Sequence, residues 1–346
     1  MPRSVLVLVS GGVDSCVASY LLKEKGLDVA GLFLRMTGTS EEEASLNRAA
    51  RILDLLRVDL HVKDVREQFK KEIIDYFEKS YLAGLTPNCC CICNWKIKVV
   101  TALEFAQSHG HDLIATGHYA RIQTGKGPLL LTGRDSKKDQ SYFLHQIKSW
   151  ALERMILPLG DMRKDDVKKI AKDLGFYRFI QGESQDICFF KGDYRAFFRM
   201  GNTSYCRPGP IVTKDGRILG THRGICNYTV GQRRGLGIPD STPFYVIEIK
   251  ASENSIVVGK HEDLFQKEVV VQDVNWLLEP LRDGSMDFDV KIRSRHKAAP
   301  ARVKILGNDI KQVKVVFSKP QRAVTPGQFA VFYKGQAVAG GGQICA

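Results

Sequence analysis

The chain is most constrained by its opening segment. Residues 5–9 form a short apolar run that ends in Ser10-Gly11-Gly12-Val13-Asp14-Ser15, and an amphipathic pattern then continues to Lys25. A buried strand that passes through two glycines directly into a helix reads as a phosphate-handling turn. The glycines let backbone N–H groups approach an anion closely, and the start of the helix adds its positive dipole end. Asp14 is a candidate Mg²⁺ ligand and Ser15 a candidate donor to a phosphate oxygen. No Gly-Lys-Ser/Thr ending follows, so this is not an ordinary Walker-type kinase or GTPase loop.

Periodicity extends the reading to a fold. Short β-rich runs (5–9, 29–34, 60–65, 113–116) alternate with helical patterns (13–25, 42–56, 67–81, 94–108, 164–174). Such alternation predicts an α/β domain with a doubly wound parallel sheet. In an open sheet of this kind the ligand lies beyond the carboxyl ends of the strands, where Ser10 and Gly117 both fall. After about Asp193 the pattern changes to short strands with turn signals. Hairpins are expected at 244–249/255–258 and at 301–306/312–317. The expected division is a catalytic domain over 1–193, a small central module over 194–264, and an antiparallel β-barrel over 265–346.

Charge points to the partner. The chain carries a net +13, of which +10 falls after residue 187. A nucleotide-binding half joined to a basic half suits a polyanion such as nucleic acid, although a solvated basic surface has the same composition. No apolar run approaches the length of a membrane span and the N-terminus reads into the phosphate loop. A cytoplasmic protein without membrane contact is therefore expected. Nine cysteines in such a chain argue for reactive or metal-binding thiols rather than a disulfide scaffold. Cys89, Cys90, Cys91 and Cys93 precede a helix expected to start near Asn94. There the dipole, with Lys96 and Lys98, acidifies Cys93. Cys188 sits alone in an apolar run, and Cys16, Cys206, Cys226 and Cys345 are isolated and expected to be structural.

The loop resembles that of the ATP pyrophosphatase (PP-loop, adenine nucleotide alpha hydrolase-like) group, whose members adenylate a substrate. The wider set of motifs is more specific. SGGVDS at 10–15, TPN followed by CxxCN at 90–94, ATGHYA at 115–120, KDQSYFL at 138–144, SQDICFF at 184–190 and YTVGQRRGLG at 228–237 occur in the order seen in bacterial tRNA-specific 2-thiouridylases, the MnmA/TrmU family. The resemblance runs over nearly the whole chain. It implies a sulfurtransferase that replaces O2 of wobble uridine 34 in tRNA with sulfur, consuming ATP to AMP and pyrophosphate.

Carried onto this sequence, the resemblance implies that Leu8, Val9, Ser10, Gly11, Gly12, Val13, Asp14, Ser15, Leu34 and Gly117 line ATP, with Mg²⁺ alongside. Cys188 would bear a persulfide received from a sulfur donor protein, a persulfide carrier or cysteine desulfurase. Cys93 would be the nucleophile that resolves it, leaving a Cys93–Cys188 disulfide. His118, Lys138, Asp139, Gln140, Arg293, Ser294 and Gln328 match positions that touch tRNA around the anticodon. Ser294 stands where the family usually has an aromatic, which removes a stacking surface. The family's PNPC is here Asn88-Cys89-Cys90. Two routes therefore stay open: a persulfide, or a [4Fe-4S] cluster on Cys90, Cys93 and Cys188. Cys89 and Cys91 read as bystanders. A small-molecule PP-loop ligase and a passive RNA-binding or cluster-carrying protein remain as rival classes.

Overall fold

The computed structural model describes residues 3–125, 127–179, 187–190, 192–200, 206–279, 284–307 and 309–345. Ser184, Gln185 and Asp186 of the SQDICFF motif and Asn308 of the second expected hairpin turn lie outside them. The chain forms two compact units, the first from Met1–Ile73, Cys90–Gln185 and Lys334–Ala339, the second from Ile74–Cys89, Asp186–Tyr333 and Gly340–Ala346.

The first unit is built on β1 (Ser4–Leu8), β2 (Asp28–Arg35), β3 (Asp59–Asp64), β4 (Leu113–Thr116), β5 (Ala120–Gln123), β6 (Leu129–Thr132) and β7 (Met155–Ile156). Five of these make a sheet in the order β3-β2-β1-β4-β7, and every pairing is parallel. Val5, Leu6 and Val7 of the central strand are all fully buried, as a strand covered on both faces must be. Val5, Val7 and Val9 pack with Leu22 of α1 (Val13–Glu24) and with Ala49 and Leu53 of α2 (Ser40–Leu55). The β5–β6 hairpin and two-residue β7 escape the sequence reading because they are too short to show a period.

The second unit holds β8 (Gly209–Val212), β9 (Ile218–His222), β10 (Tyr245–Lys250) and β11 (Ser255–Gly259), arranged β10-β11-β8-β9 around Ile211, Tyr228, Val246 and Ile256. It also holds β12 (Phe265–Trp276), β13 (Ser285–Lys291), β14 (Ala299–Leu306), β15 (Asp309–Arg322), β16 (Phe329–Lys334) and the later part of β17 (Ala337–Ile344). These run β12-β15-β14-β13-β16-β17 and close through a β12–β17 pairing into a six-stranded antiparallel barrel. Alternate residues, among them Val269, Val271, Val303, Val313 and Val315, fill its interior. Both expected hairpins form, as β10–β11 and β14–β15. Among the described residues no helix is long and apolar enough to cross a membrane.

Candidate active site

The phosphate loop follows β1 as expected. Gly11 adopts φ +70°, and a Cβ there would lie 2.2 Å from the Ser45 carbonyl oxygen of α2, so only glycine fits. Gly12 is the extended N-cap of α1 and supplies no side-chain cap, leaving the first amides of that helix open toward the loop. Ser15 closes the turn from inside: its Oγ accepts from the Ser10 N–H at 3.1 Å and donates to the Gly12 carbonyl at 3.1 Å. Its hydroxyl is therefore a brace of the loop as well as a candidate phosphate donor. Leu8 is half-buried, and Val9 and Leu34 are buried at the ends of their strands.

The second loop meets the first. A Cβ on Gly117 would come within 2.9 Å of both the Asp14 carbonyl carbon and the Ser15 nitrogen, so backbone meets backbone at the start of α1. Next along, His118 Nδ1 shares a 2.7 Å hydrogen bond with Thr116 Oγ1, and burial, reinforced by the charge of Lys98, pushes its imidazole down to about 3. It is neutral near pH 7. Tyr119 donates its hydroxyl to Asp14 Oδ1 at 2.7 Å. The Asp14 carboxylate is also held by Lys164 Nζ, at 2.7 Å and 2.8 Å from its two oxygens. Neither Tyr119 nor Lys164 was singled out in the sequence. Tyr119 was visible inside ATGHYA, whereas Lys164 lies 150 residues from its partner with no local signal.

The cysteine segment departs from expectation. The helix does not begin near Asn94: helical turns start at Cys89–Cys93 and run on through a π-type stretch at Asn94–Val99 into Val100–Ser108. Cys93 thus lies a full turn inside the helix, away from the amides that would acidify a thiol at its first position. It is 5% exposed, and burial raises its pKa, with Lys98 opposing and Cys90 adding to the rise. Lys98 is oriented by a 2.9 Å bond to Asn94 Oδ1, and Asn94 in turn donates to the Phe143 carbonyl at 3.1 Å. Lys96 instead pairs with Glu72 at 2.6 Å. Cys90 is exposed and Cys91 buried.

Cys188 has the opposite setting. It is exposed in a turn closed by the Phe190 N–H bonding to the Ile187 carbonyl at 3.0 Å. The following Phe189 packs edge-on against Phe77, with ring centroids 5.3 Å apart, and Phe77 also meets Tyr81, Tyr194, Phe197 and Phe198. Among the described residues no group of three or more His, Cys, Asp or Glu side chains gathers to hold a metal ion. Cys206 and Cys226, expected to be isolated, are joined by a disulfide with Cα atoms 6.1 Å apart; the fold brings together residues 20 apart in a stretch where spacing gave no hint.

Comparison with known proteins gives the family. A family model described as the tRNA methyl transferase HUP domain matches residues 3–192, one described as the tRNA methyl transferase PRC-barrel domain matches 201–260, and one described as the aminomethyltransferase beta-barrel domain matches 266–344. The tRNA-specific 2-thiouridylase MnmA of Desulfotalea psychrophila is 41% identical over 340 residues, covering 98% of each chain. That of Clostridioides difficile is 39% identical over 357 residues, covering 99% of this chain and 98% of the relative. The chain belongs to the tRNA-specific 2-thiouridylase family. Among solved structures, a 4-thiouridine synthetase–RNA complex with bound ATP is 21% identical with a TM-score of 0.36, over 51% of this chain and 42% of that one.

The residues expected from the resemblance to touch tRNA have mixed settings in the structure. Lys138 is exposed. Asp139 Oδ1 accepts from the Gly133 and Ser141 amides at 3.0 and 3.1 Å, and Gln140 Oε1 accepts from the Tyr119 amide at 2.9 Å. Those two side chains hold the scaffold beside the phosphate loop. In the second unit, Arg293 donates to the Arg322 and Ala323 carbonyls at 3.3 and 3.4 Å, Ser294 is half-buried, and Gln328 donates to the Thr86 carbonyl at 2.8 Å. Gln328 thereby steadies the segment that leads into the cysteines.

Proposed function

We propose that this chain is a tRNA 2-thiouridylase that uses ATP to activate O2 of wobble uridine 34 and replaces that oxygen with sulfur. The observation that carries the reading is full-length identity with named 2-thiouridylases in a chain that keeps the phosphate loop and both cysteines. Two of the matching family models are described by methyl transfer. The loop argues against that chemistry: moving a methyl group from a sulfonium donor needs no triphosphate cradle.

In the reaction proposed, uridine O2 attacks the α-phosphorus of ATP and pyrophosphate leaves toward the open amides of α1. The adenylated oxygen becomes a good leaving group. A persulfide on Cys188, loaded by a donor protein, brings the sulfur. The Cys93 thiolate attacks Cys188 Sγ, the S–S bond to the terminal sulfur breaks, and that sulfur takes the bonding pair to C2 as AMP departs with the former O2. A Cys93–Cys188 disulfide remains and an external dithiol reduces it. Lys98 favours the Cys93 thiolate against burial, and neutral His118 is available as a hydrogen-bonding rather than a charged contact.

Asp14 fits a Mg²⁺ that arrives with ATP, because such an ion takes one or two carboxylates and completes its shell with phosphates and water. It would neutralise charge on the departing pyrophosphate. The basic second half supplies phosphate contacts for tRNA, with Lys138 and the Arg293–Ser294 segment as candidates around the anticodon. The catalytic domain, central module and barrel are proposed as 1–193, 194–264 and 265–346.

The test is nucleoside mass spectrometry on unmodified tRNA incubated with the protein, ATP, Mg²⁺ and a sulfur source. Thiouridine formed aerobically without iron and lost in Cys93→Ser and Cys188→Ser is the expected result. Product only after anaerobic iron reconstitution would replace the persulfide with a cluster, and none under either condition would remove the assignment.

A further inference from the structure

The phosphate loop lacks the lysine that completes a Walker loop, yet a triphosphate brings several negative charges that two glycines and a helix terminus do not balance. A lysine is nevertheless present in space. Lys164 is only 6% exposed, and its Nζ reaches both oxygens of Asp14, the second residue of α1. Its backbone is fixed as well. It opens the helix Lys164–Asp173, and its N–H donates to Asp135 Oδ2 at 3.0 Å. The ammonium also lies 5.6 Å from the Tyr119 ring centroid, the same tyrosine that bonds Asp14.

Stability alone is a poor reason for this arrangement. Around α1 and the Lys164 helix the packing is apolar, with Val17, Tyr119, Leu159, Val167 and Phe176 buried together. An apolar side chain at 164 would join those elements without the desolvation of a buried charge. An ammonium held by a carboxylate at the mouth of an uncapped helix instead has a second possible partner, a phosphate oxygen.

We infer that Lys164 is the phosphate-binding cation of the nucleotide site, resting on Asp14 until ATP arrives. This rests on the ATP reading above. When the nucleotide enters, Lys164 turns from the carboxylate to the phosphates and Asp14 is released to whatever cation accompanies them. The role is electrostatic: it tightens binding of the triphosphate and of departing pyrophosphate, and does nothing for the adenosine end.

Calorimetric titration of the full chain with ATP and, separately, with adenosine tests this in wild type, Lys164→Met, Lys164→Arg and Arg48→Gln. Arg48, whose guanidinium bonds Ser45 at 2.6 Å, is the competing basic side chain near the loop. Lys164→Met should weaken ATP about 10- to 100-fold, as loss of a charged hydrogen bond does, with adenosine binding unchanged. Lys164→Arg should recover most of the loss. Equal weakening of ATP and adenosine with a lower Tm would make Lys164 a strut. Unchanged ATP affinity, or a loss confined to Arg48→Gln, would also overturn the inference. Failure of wild type to bind ATP would instead remove the ATP reading itself.

Discussion

Cys93 and Cys188 carry the same functional group in opposite settings. Cys93 is 5% exposed inside a continuous helix, its ionisation opposed by burial and aided by one oriented lysine. Cys188 is exposed on a turn whose next residue is anchored in a cluster of rings. On the roles proposed for the two thiols, the difference is a division of labour. A thiol that accepts sulfur from another protein must be reachable, whereas a thiol that acts once per turnover is better kept protonated and shielded until needed. The sharpest way to break this comparison is to ask which cysteine is loaded. With labelled sulfur from a donor protein, Cys93→Ser should still carry label and Cys188→Ser should carry none. Neither should form thiouridine above background, and both should retain tRNA-dependent pyrophosphate release. Label retained in Cys188→Ser would reverse the assignment.

The next effect concerns the phosphate loop. Gly11→Ala combines a left-handed backbone with a Cβ 2.2 Å from Ser45 O, and the contact is backbone, which cannot swing aside. Pyrophosphate release should fall to near background while the barrel unit stays folded, checked by near-ultraviolet circular dichroism. Phe77→Ala should follow. Truncating a buried ring costs about 3–5 kcal/mol, and here it removes the partner of Phe189. Limited proteolysis should then cut near residue 190 faster, and thiouridine formation should fall more than pyrophosphate release.

How much of this was legible in sequence depends on whether each feature is local. The phosphate loop, the parallel sheet and both hairpins announce themselves within a dozen residues through glycines, periods of 2 and 3.6, and turn chemistry. Four cysteines carry no amphipathic period, so the pattern puts the helix start at Asn94, the first periodic residue, whereas the structure starts it at Cys89. In sequence Asp139 and Gln140 enter as expected tRNA contacts, and only the fold shows them accepting from the Gly133 and Tyr119 amides. Lys164 and the Cys206–Cys226 pair are products of tertiary structure alone. The site was therefore readable where it is built from the backbone and hidden where it is built from side chains converging from distant segments.

Two lysines provide the finest test of the contrast between the thiols, because the sequence groups them and the structure separates them. Lys96 and Lys98 stand two residues apart, but Lys96 is drawn to Glu72 in a half-exposed pair, while Lys98 is held by Asn94 and its charge acts on Cys93. The sign follows from the thiol's raised pKa. Below that pKa the thiolate fraction falls tenfold for each unit of further rise, so removing the lysine that opposes the rise slows reaction at fixed pH. Lys98→Met should slow alkylation of Cys93 several-fold to about tenfold at pH 8 and move its pH profile upward, leaving Cys188 unchanged. Lys96→Ala should do neither, and should alter stability by no more than about 0.5 kcal/mol, since exposed ion pairs contribute little. Equal slowing by both substitutions would mean that Cys93 senses the general charge of its helix, and the oriented Lys98–Asn94 contact would lose its role.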